Sequence, residues 1–244
     1  MRNPKWHRDE IILALDLYFS SERGAIDDKN KKIIEVSKII NRLPLFPDRP
    51  DKEKFRNANG VSLKLSNFLH FDPNYSGTGM KGGSKLDREV FEEYYSQREK
   101  LKSIAGEIKK VAADPLLINK LYNIEEDEQT ISDSVQEGET LYKLHKVRER
   151  DAGIIKSKKE QALNLTGKLA CEACIFEFEV YYGNIGKGYI ECHHKTPLAN
   201  FKVSTVTRLN DLALVCSNCH RMLHRRIDTI TIEDLRMMIK YDRL

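Results

Sequence analysis

Apolar residues recur at helical spacing through the first half of the chain, and the pattern changes character near Leu169. In "RDEIILALDLYFS" the apolar positions 11, 12, 15, 18 and 19 share one helical face, with Asp9 and Glu10 at the end where the helix dipole favours acids. "NKKIIEVSKIINRL" repeats the pattern and stops before Pro44, and "NGVSLKLSNFLHF" sets Val61, Leu65, Phe68 and Leu69 on one side. The Gly and Pro content of "DPNYSGTGMKGGSK" predicts a loop. "LDREVFEEYYSQREKLKSIAGEIKKVAAD" then predicts one long helix closing at Pro115. These elements define a helical N-terminal domain over residues 1–112.

Residues 113–137 read as a linker with one helical turn at "PLLINKLYNI", and a basic helical connector follows over 138–168. Beyond it, "FEFEVYY" and "GYIECHH" predict short strands separated by the turn "GNIGKG", and "SNCHRMLHRR" predicts a helix. The expected fold class is α+β, a helical N-terminal domain followed by a small mixed domain over 169–244.

Composition changes this picture little. The 244 residues carry 41 Lys and Arg against 37 Asp and Glu, a formal net charge of +4. The distribution of that charge matters more for partners than its sum. Acidic "NIEEDEQTISDSVQEGE" runs directly into basic "YKLHKVRERDAGIIKSKK". No apolar run has bilayer length and "MRNPKWHRDE" lacks a signal-peptide pattern, so a cytoplasmic protein with no membrane association is expected. Five cysteines in such a chain argue against a disulfide framework.

Four of those cysteines form two Cys-x-x-Cys pairs, Cys171 with Cys174 and Cys216 with Cys219. Each pair can hold half of a tetrahedron, and together they close a structural zinc site. A finger made of Cys171, Cys174, His220 and His224 is rejected, because its internal gap is far too long and Cys216 and Cys219 would be stranded. Adjacency separates the thiols from the imidazoles. Cys219 and His220 are consecutive, and on a helix their side chains diverge by about 100°. A second, open site is therefore expected from His193, His194, His220 and His224, holding a catalytic divalent ion such as Mg2+ or Mn2+. Cys192 reads as a buried strand residue facing away from the histidines.

"IECHHKTPL", "LNDLALVC" and "CSNCHRMLHRR", in this order and spacing, resemble an HNH nuclease of the ββα-metal type over roughly residues 169–226. Within that group the chain most resembles the McrA-like modification-dependent restriction endonucleases. "EGETLYKLHKVRERD", "WHRDEIILALDLYF" and "FRNANGVSLKLSNF" are also similar to that family's larger members. The resemblance implies metal-dependent hydrolysis of phosphodiester bonds in double-stranded DNA carrying modified bases, as a defence against foreign DNA. It implies that His194 is the general base, that His193 and His220 are metal ligands, and that His224 is a further ligand. The middle Asn of the family motif falls on Asp211, with Asn210 one position earlier, so the orienting role falls to Asp211 or Asn210. The resemblance also makes the N-terminal domain the reader of the altered base.

The residue chemistry agrees with such a site. A histidine with a pKa of about 6.5 is largely free base at neutral pH and can take a proton from water. A carboxylate of Asp211 touching His194 would raise that pKa. Cations are expected along the DNA backbone, namely Arg148, Arg150 and Lys158 before the motif, Arg221 and Arg225 inside it, and Lys64 and Lys81 near the Gly-rich loop. That loop has Gly83-Ser84 where a phosphate-binding loop needs Lys-Ser/Thr, so no nucleotide cofactor is expected. One active site per chain implies a homodimer or two successive nicks. Two rivals stand beside this reading: a nicking or homing-type nuclease acting on unmodified DNA, and a non-catalytic zinc-stabilised DNA-binding protein. Retention of His193, His194 and His220 argues against the second.

Overall fold

The computed structural model describes residues 3–122, 140, 141, 143, 144, 151–195, 207–225 and 230–240. The chain forms two compact units, Met1–Glu125 with Glu137–Leu141, and Glu126–Gln136 with Tyr142–Leu244. Among the described residues no helix is long and apolar enough to cross a membrane.

The first unit is helical: α1 (Arg8–Phe19), α2 (Lys31–Ile40), α3 (Ala58–Leu69), α4 (Lys85–Tyr95), α5 (Arg98–Ala113) and α6 (Pro115–Tyr122). Helix α1 is its centre and is buried nearly all round, from Ile11 through Leu15 and again at Leu17 and Tyr18. Its two acids are buried as well. Glu10 accepts from Arg56 Nε at 2.8 Å, and Asp9 accepts from the Thr140 amide at 2.8 Å. These carboxylates therefore satisfy distant donors as well as lying in the first turn of α1. Tyr18, Phe68 and Phe91 pack ring to ring in the core.

Two expectations for this unit are corrected. The long helix expected up to Pro115 is broken at Ser96 and Gln97, where Gln97 leaves helical geometry. The turn lets Tyr94 on α4 and Leu101 and Ile104 on α5 all reach the core. The linker expected from 113 contains a two-turn helix, α6, whose Leu121 is buried.

The second unit holds α7 (Ala152–Thr166), α8 (Phe178–Tyr182), β1 (Glu191–His194), β2 (Leu212–Val215), α9 (Ser217–His224) and α10 (Ile232–Met238). Helix α7 begins only at Ala152, because Asp151 caps it by accepting from the Gly153 and Ile154 amides. Residues 140, 141, 143 and 144 of the expected connector are helical as well, and 145–150 lie outside the described residues. Strands β1 and β2 pair antiparallel, with Cys192 opposite Leu214 and His193 opposite Ala213.

The pleat sends alternate residues to opposite faces. Cys192, Leu212 and Leu214 pack with Ile154, Ile155 and Ala162 of α7. Ala213 and Val215 join Cys216, Cys219 and Leu223 on the other side, together with Ile232 and Leu235 of α10. The hairpin is therefore covered on both faces, and Cys192 is buried and faces away from His193, but it shares the face of His194.

Of the segment "FEFEVYY", expected as a strand, Phe178–Tyr182 form the helix α8, while Glu177 makes an isolated β-bridge with Ala170. Phe178 and Tyr182 stack one helical turn apart, and Phe176, just before the helix, meets the rings of Tyr181 and Tyr182. Gly186 closes the following turn so tightly that a Cβ there would lie 2.1 Å from the Phe178 carbonyl oxygen.

Candidate active site

Two clusters of metal-ligating side chains meet on α9. Its N-cap is Cys216, it carries Cys219, and four sulfurs from Cys171, Cys174, Cys216 and Cys219 lie within 4.8 Å of one another. The first pair sits on a turn in which the Cys174 amide donates to Cys171 Sγ at 3.4 Å. The second pair repeats that bond from Cys219 to Cys216. The two loops are tied together through Glu172, whose amide donates to the Leu214 carbonyl and whose carboxylate accepts from the Leu214 amide.

The sulfur cluster fits zinc. A tetrahedron with Zn–S bonds of about 2.3 Å has edges of about 3.8 Å, and Cys174 Sγ lies 3.6 Å from Cys216 Sγ. The acidities point the same way. A hydrogen bond from Cys216 pulls the Cys171 thiol down, the same bond pushes Cys216 up, and burial pushes Cys219 up. One thiolate thus forms readily and its neighbours resist following it. Four thiolates this close need a cation between them.

The second cluster is made of imidazoles. His193, on the β1 face turned toward α9, meets His220 and His224, one helical turn apart on α9, with ligand atoms within 4.8 Å. His220 Nε2 and His224 Nε2 are 2.9 Å apart. An N–N edge about a bound zinc-sized ion is about 3.4 Å, so a small opening of the pair would admit one. The geometry brings together three of the four histidines predicted from the sequence.

His194 lies on the opposite face of β1 from His193 and is 5% exposed. Its Nε2 is 3.2 Å from Thr207 Oγ1. The expected contact with Asp211 is not made. The Asp211 carboxylate accepts from the Arg208 amide at 2.8 Å, and the Asp211 carbonyl accepts from the Lys195 amide at 2.8 Å. Asp211 therefore braces the turn before β2 and links it to the end of β1. A carboxylate three residues from a free amide satisfies that amide more readily than a side chain across the sheet.

Sequence reasoning missed Glu191. Its Oε2 lies 2.6 Å from His220 Nδ1, and its Oε1 accepts from Ser217 Oγ at 2.7 Å and from the Tyr189 hydroxyl at 3.3 Å. The bond to His220 and those to the two hydroxyls outweigh burial and hold the Glu191 carboxyl at about 2. Strand alternation was the signal: Glu191 is two residues before His193 and so shares its face. Thr207 had no comparable signal.

The expected DNA-contacting cations divide. Arg221 and Arg225 are exposed on α9 and at its C-terminal cap, and Lys81 is exposed in the Gly-rich loop. Lys64 is corrected: its ammonium is buried and bonded to both Asp87 oxygens at 2.7 and 2.8 Å, so it is not a surface cation. Lys158 is also buried, with its Nζ 3.3 Å from Gln161 Oε1. Arg148 and Arg150 lie outside the described residues.

Residues 171–226 match the family model for the HNH endonuclease. The match spans both metal-ligating clusters and the hairpin between them, and it marks this segment as a nuclease domain. No curated protein and no solved structure matches the chain.

Proposed function

We propose that the chain is a metal-dependent DNA endonuclease of the modification-dependent restriction type, cutting foreign double-stranded DNA in the cytoplasm. One observation carries the catalytic part of this reading. His193, His220 and His224 converge on one side of β1, while the adjacent His194 faces the other side. Three protein ligands leave coordination positions for phosphate or water, whereas the four sulfurs leave none.

His193, His220 and His224 would hold a divalent ion, which would supply charge stabilisation to the phosphate and the leaving oxygen. Three neutral imidazoles suit zinc, nickel or cobalt better than magnesium or manganese, which prefer oxygen ligands. His194 takes the proton of the attacking water, and Thr207 holds its ring through Nε2. Arg221, exposed on α9, and Arg225, exposed at its C-terminal cap, hold the sugar-phosphate backbone in this reading. Asp211 orients indirectly, by fixing the turn just before β2 and tying it to Lys195 at the end of β1. Cleavage of both strands uses two copies of the chain or two successive nicks.

The modified-base specificity rests on the similarity of the N-terminal stretches to McrA-like enzymes, with the helical unit as reader. The core placement of Tyr18 and Phe68 favours a second reading, in which that unit binds unmodified DNA through its backbone. Cleavage of one plasmid prepared with cytosine, methylcytosine, hydroxymethylcytosine, methyladenine or phosphorothioate marks separates them. Preferential cutting of one marked plasmid supports the first reading. Equal rates on unmarked DNA support the second, and no cutting with zinc, nickel, cobalt, manganese or magnesium contradicts both.

A further inference from the structure

The Glu191 carboxylate has three protein donors and only one of them belongs to the imidazole cluster. Ser217 is the first residue of α9, so its hydroxyl ties the start of that helix to β1 through Glu191 Oε1. Tyr189 approaches the same oxygen from the β1 side, and its ring packs edge-on against Phe178 at 4.7 Å. Both hydroxyls bind Oε1, which leaves Oε2 aimed at His220 Nδ1. The carboxylate is thus clamped before it reaches the histidine.

An ionised carboxylate can only accept hydrogen bonds. The proton of a neutral His220 must therefore sit on Nδ1, and Nε2 keeps its lone pair on the side where His224 Nε2 lies 2.9 Å away. Remove the carboxylate and the two tautomers compete, while the ring loses the bond that fixes its plane. A negative charge behind a ligating imidazole also increases its basicity toward a cation.

We propose that Glu191, clamped by Ser217 and Tyr189, is the positioning residue that presets the tautomer and orientation of His220 and so sets the metal affinity of the His193–His220–His224 centre. This rests on the metal-centre reading proposed above. Glu191 touches neither substrate nor ion in this role. It acts through His220.

Titration of the full chain with cobalt(II) as the probe metal tests it. Thiolate charge-transfer bands in the near ultraviolet report the sulfur cluster, and weaker visible bands report the imidazole centre. For Glu191→Gln, which keeps an acceptor but loses the charge, the imidazole phase is expected to need about 10-fold more cobalt, and for Glu191→Ala about 100-fold more. The thiolate phase stays at its wild-type position in both, which shows that the fold is retained. An unchanged imidazole phase in Glu191→Ala, with the thiolate phase intact, overturns the role of Glu191 alone. If the Ala variant loses both phases by unfolding, the Gln variant decides by the same criterion. A wild-type chain with a thiolate phase and no imidazole phase overturns the metal-centre reading itself.

Discussion

Cys219 and His220 are consecutive on α9, yet Cys219 Sγ belongs to the four-sulfur cluster while His220 Nδ1 lies 2.6 Å from Glu191 Oε2 in the imidazole cluster. The rotation of about 100° per helical residue separates them. One short helix therefore carries ligands of both centres. The sulfurs fix its N-terminal end against the Cys171–Cys174 turn, and the histidines project from the anchored helix toward β1.

Loss of the sulfur cluster should therefore remove the imidazole centre as well. Cys174→Ala breaks only a sulfur ligand, yet it is expected to abolish binding of both ions and to loosen the second unit. Metal content after dialysis and near-ultraviolet circular dichroism check this. The converse variant, His224→Ala, should retain one tightly held zinc and the folded signal. Retention of the nitrogen-bound ion in Cys174→Ala would show that the two centres are independent.

His194→Ala should lower the turnover number by about 10²–10⁴-fold, the usual contribution of a general base. DNA affinity and metal content should stay unchanged. Thr207→Val should give a smaller loss, confined to turnover rather than to KM, and Thr207→Ser should recover it, because the hydroxyl at 3.2 Å from Nε2 is restored. Turnover of Thr207→Val at the wild-type rate would remove Thr207 from the account.

Lys64 and Lys81 should behave differently, although both stand near the Gly-rich loop. Lys64→Ala leaves Asp87 as an uncompensated buried charge. Breaking such a pair costs about 3–5 kcal/mol, so a clear fall in denaturant midpoint is expected. Lys81→Ala, at an exposed position, should leave stability within about 0.5 kcal/mol of the parent. Urea unfolding of the two variants side by side makes the comparison, and equal midpoints would contradict the buried pair.

Ile175 holds a left-handed backbone, φ +65°, in the turn after Cys174, and its side chain is largely exposed. A β-branched residue there is strained by about 1–2 kcal/mol, while glycine adopts the conformation freely at some entropic cost in the unfolded chain. Ile175→Gly should therefore raise the melting temperature of the zinc-loaded protein by about 2–4 °C, the shift that about 1 kcal/mol gives a chain of this size. A fall on differential scanning calorimetry would mean that the Ile175 side chain makes a stabilising contact.

Legibility in the sequence followed the range of the interaction. The two ligand sets could be read because their spacing is local: Cys-x-x-Cys turns, histidines one helical turn apart, and a thiol next to an imidazole. The helices of the first unit were legible from their apolar period, but not the break at Ser96, because that period continues across it. "FEFEVYY" misled because aromatic and β-branched residues favour strands in isolation, whereas ring stacking and the close turn at Gly186 settle the helix. Lys64 looked like a surface cation because its partner Asp87 comes from another helix. A contact of Asp211 with His194 could be imagined from the motif, but a backbone amide three residues away takes the carboxylate. Glu191 was readable from strand alternation alone, and Thr207 was not.

The central claim is that sulfur and imidazole serve separate ions on one helix. Zinc K-edge X-ray absorption of the zinc-loaded protein, with metal content measured on the same sample, tests it most directly. The account predicts two ions per chain, one surrounded by four sulfurs at about 2.3 Å and one by nitrogen and oxygen at about 2.0–2.1 Å. A single ion per chain with sulfur and imidazole in one shell would contradict it.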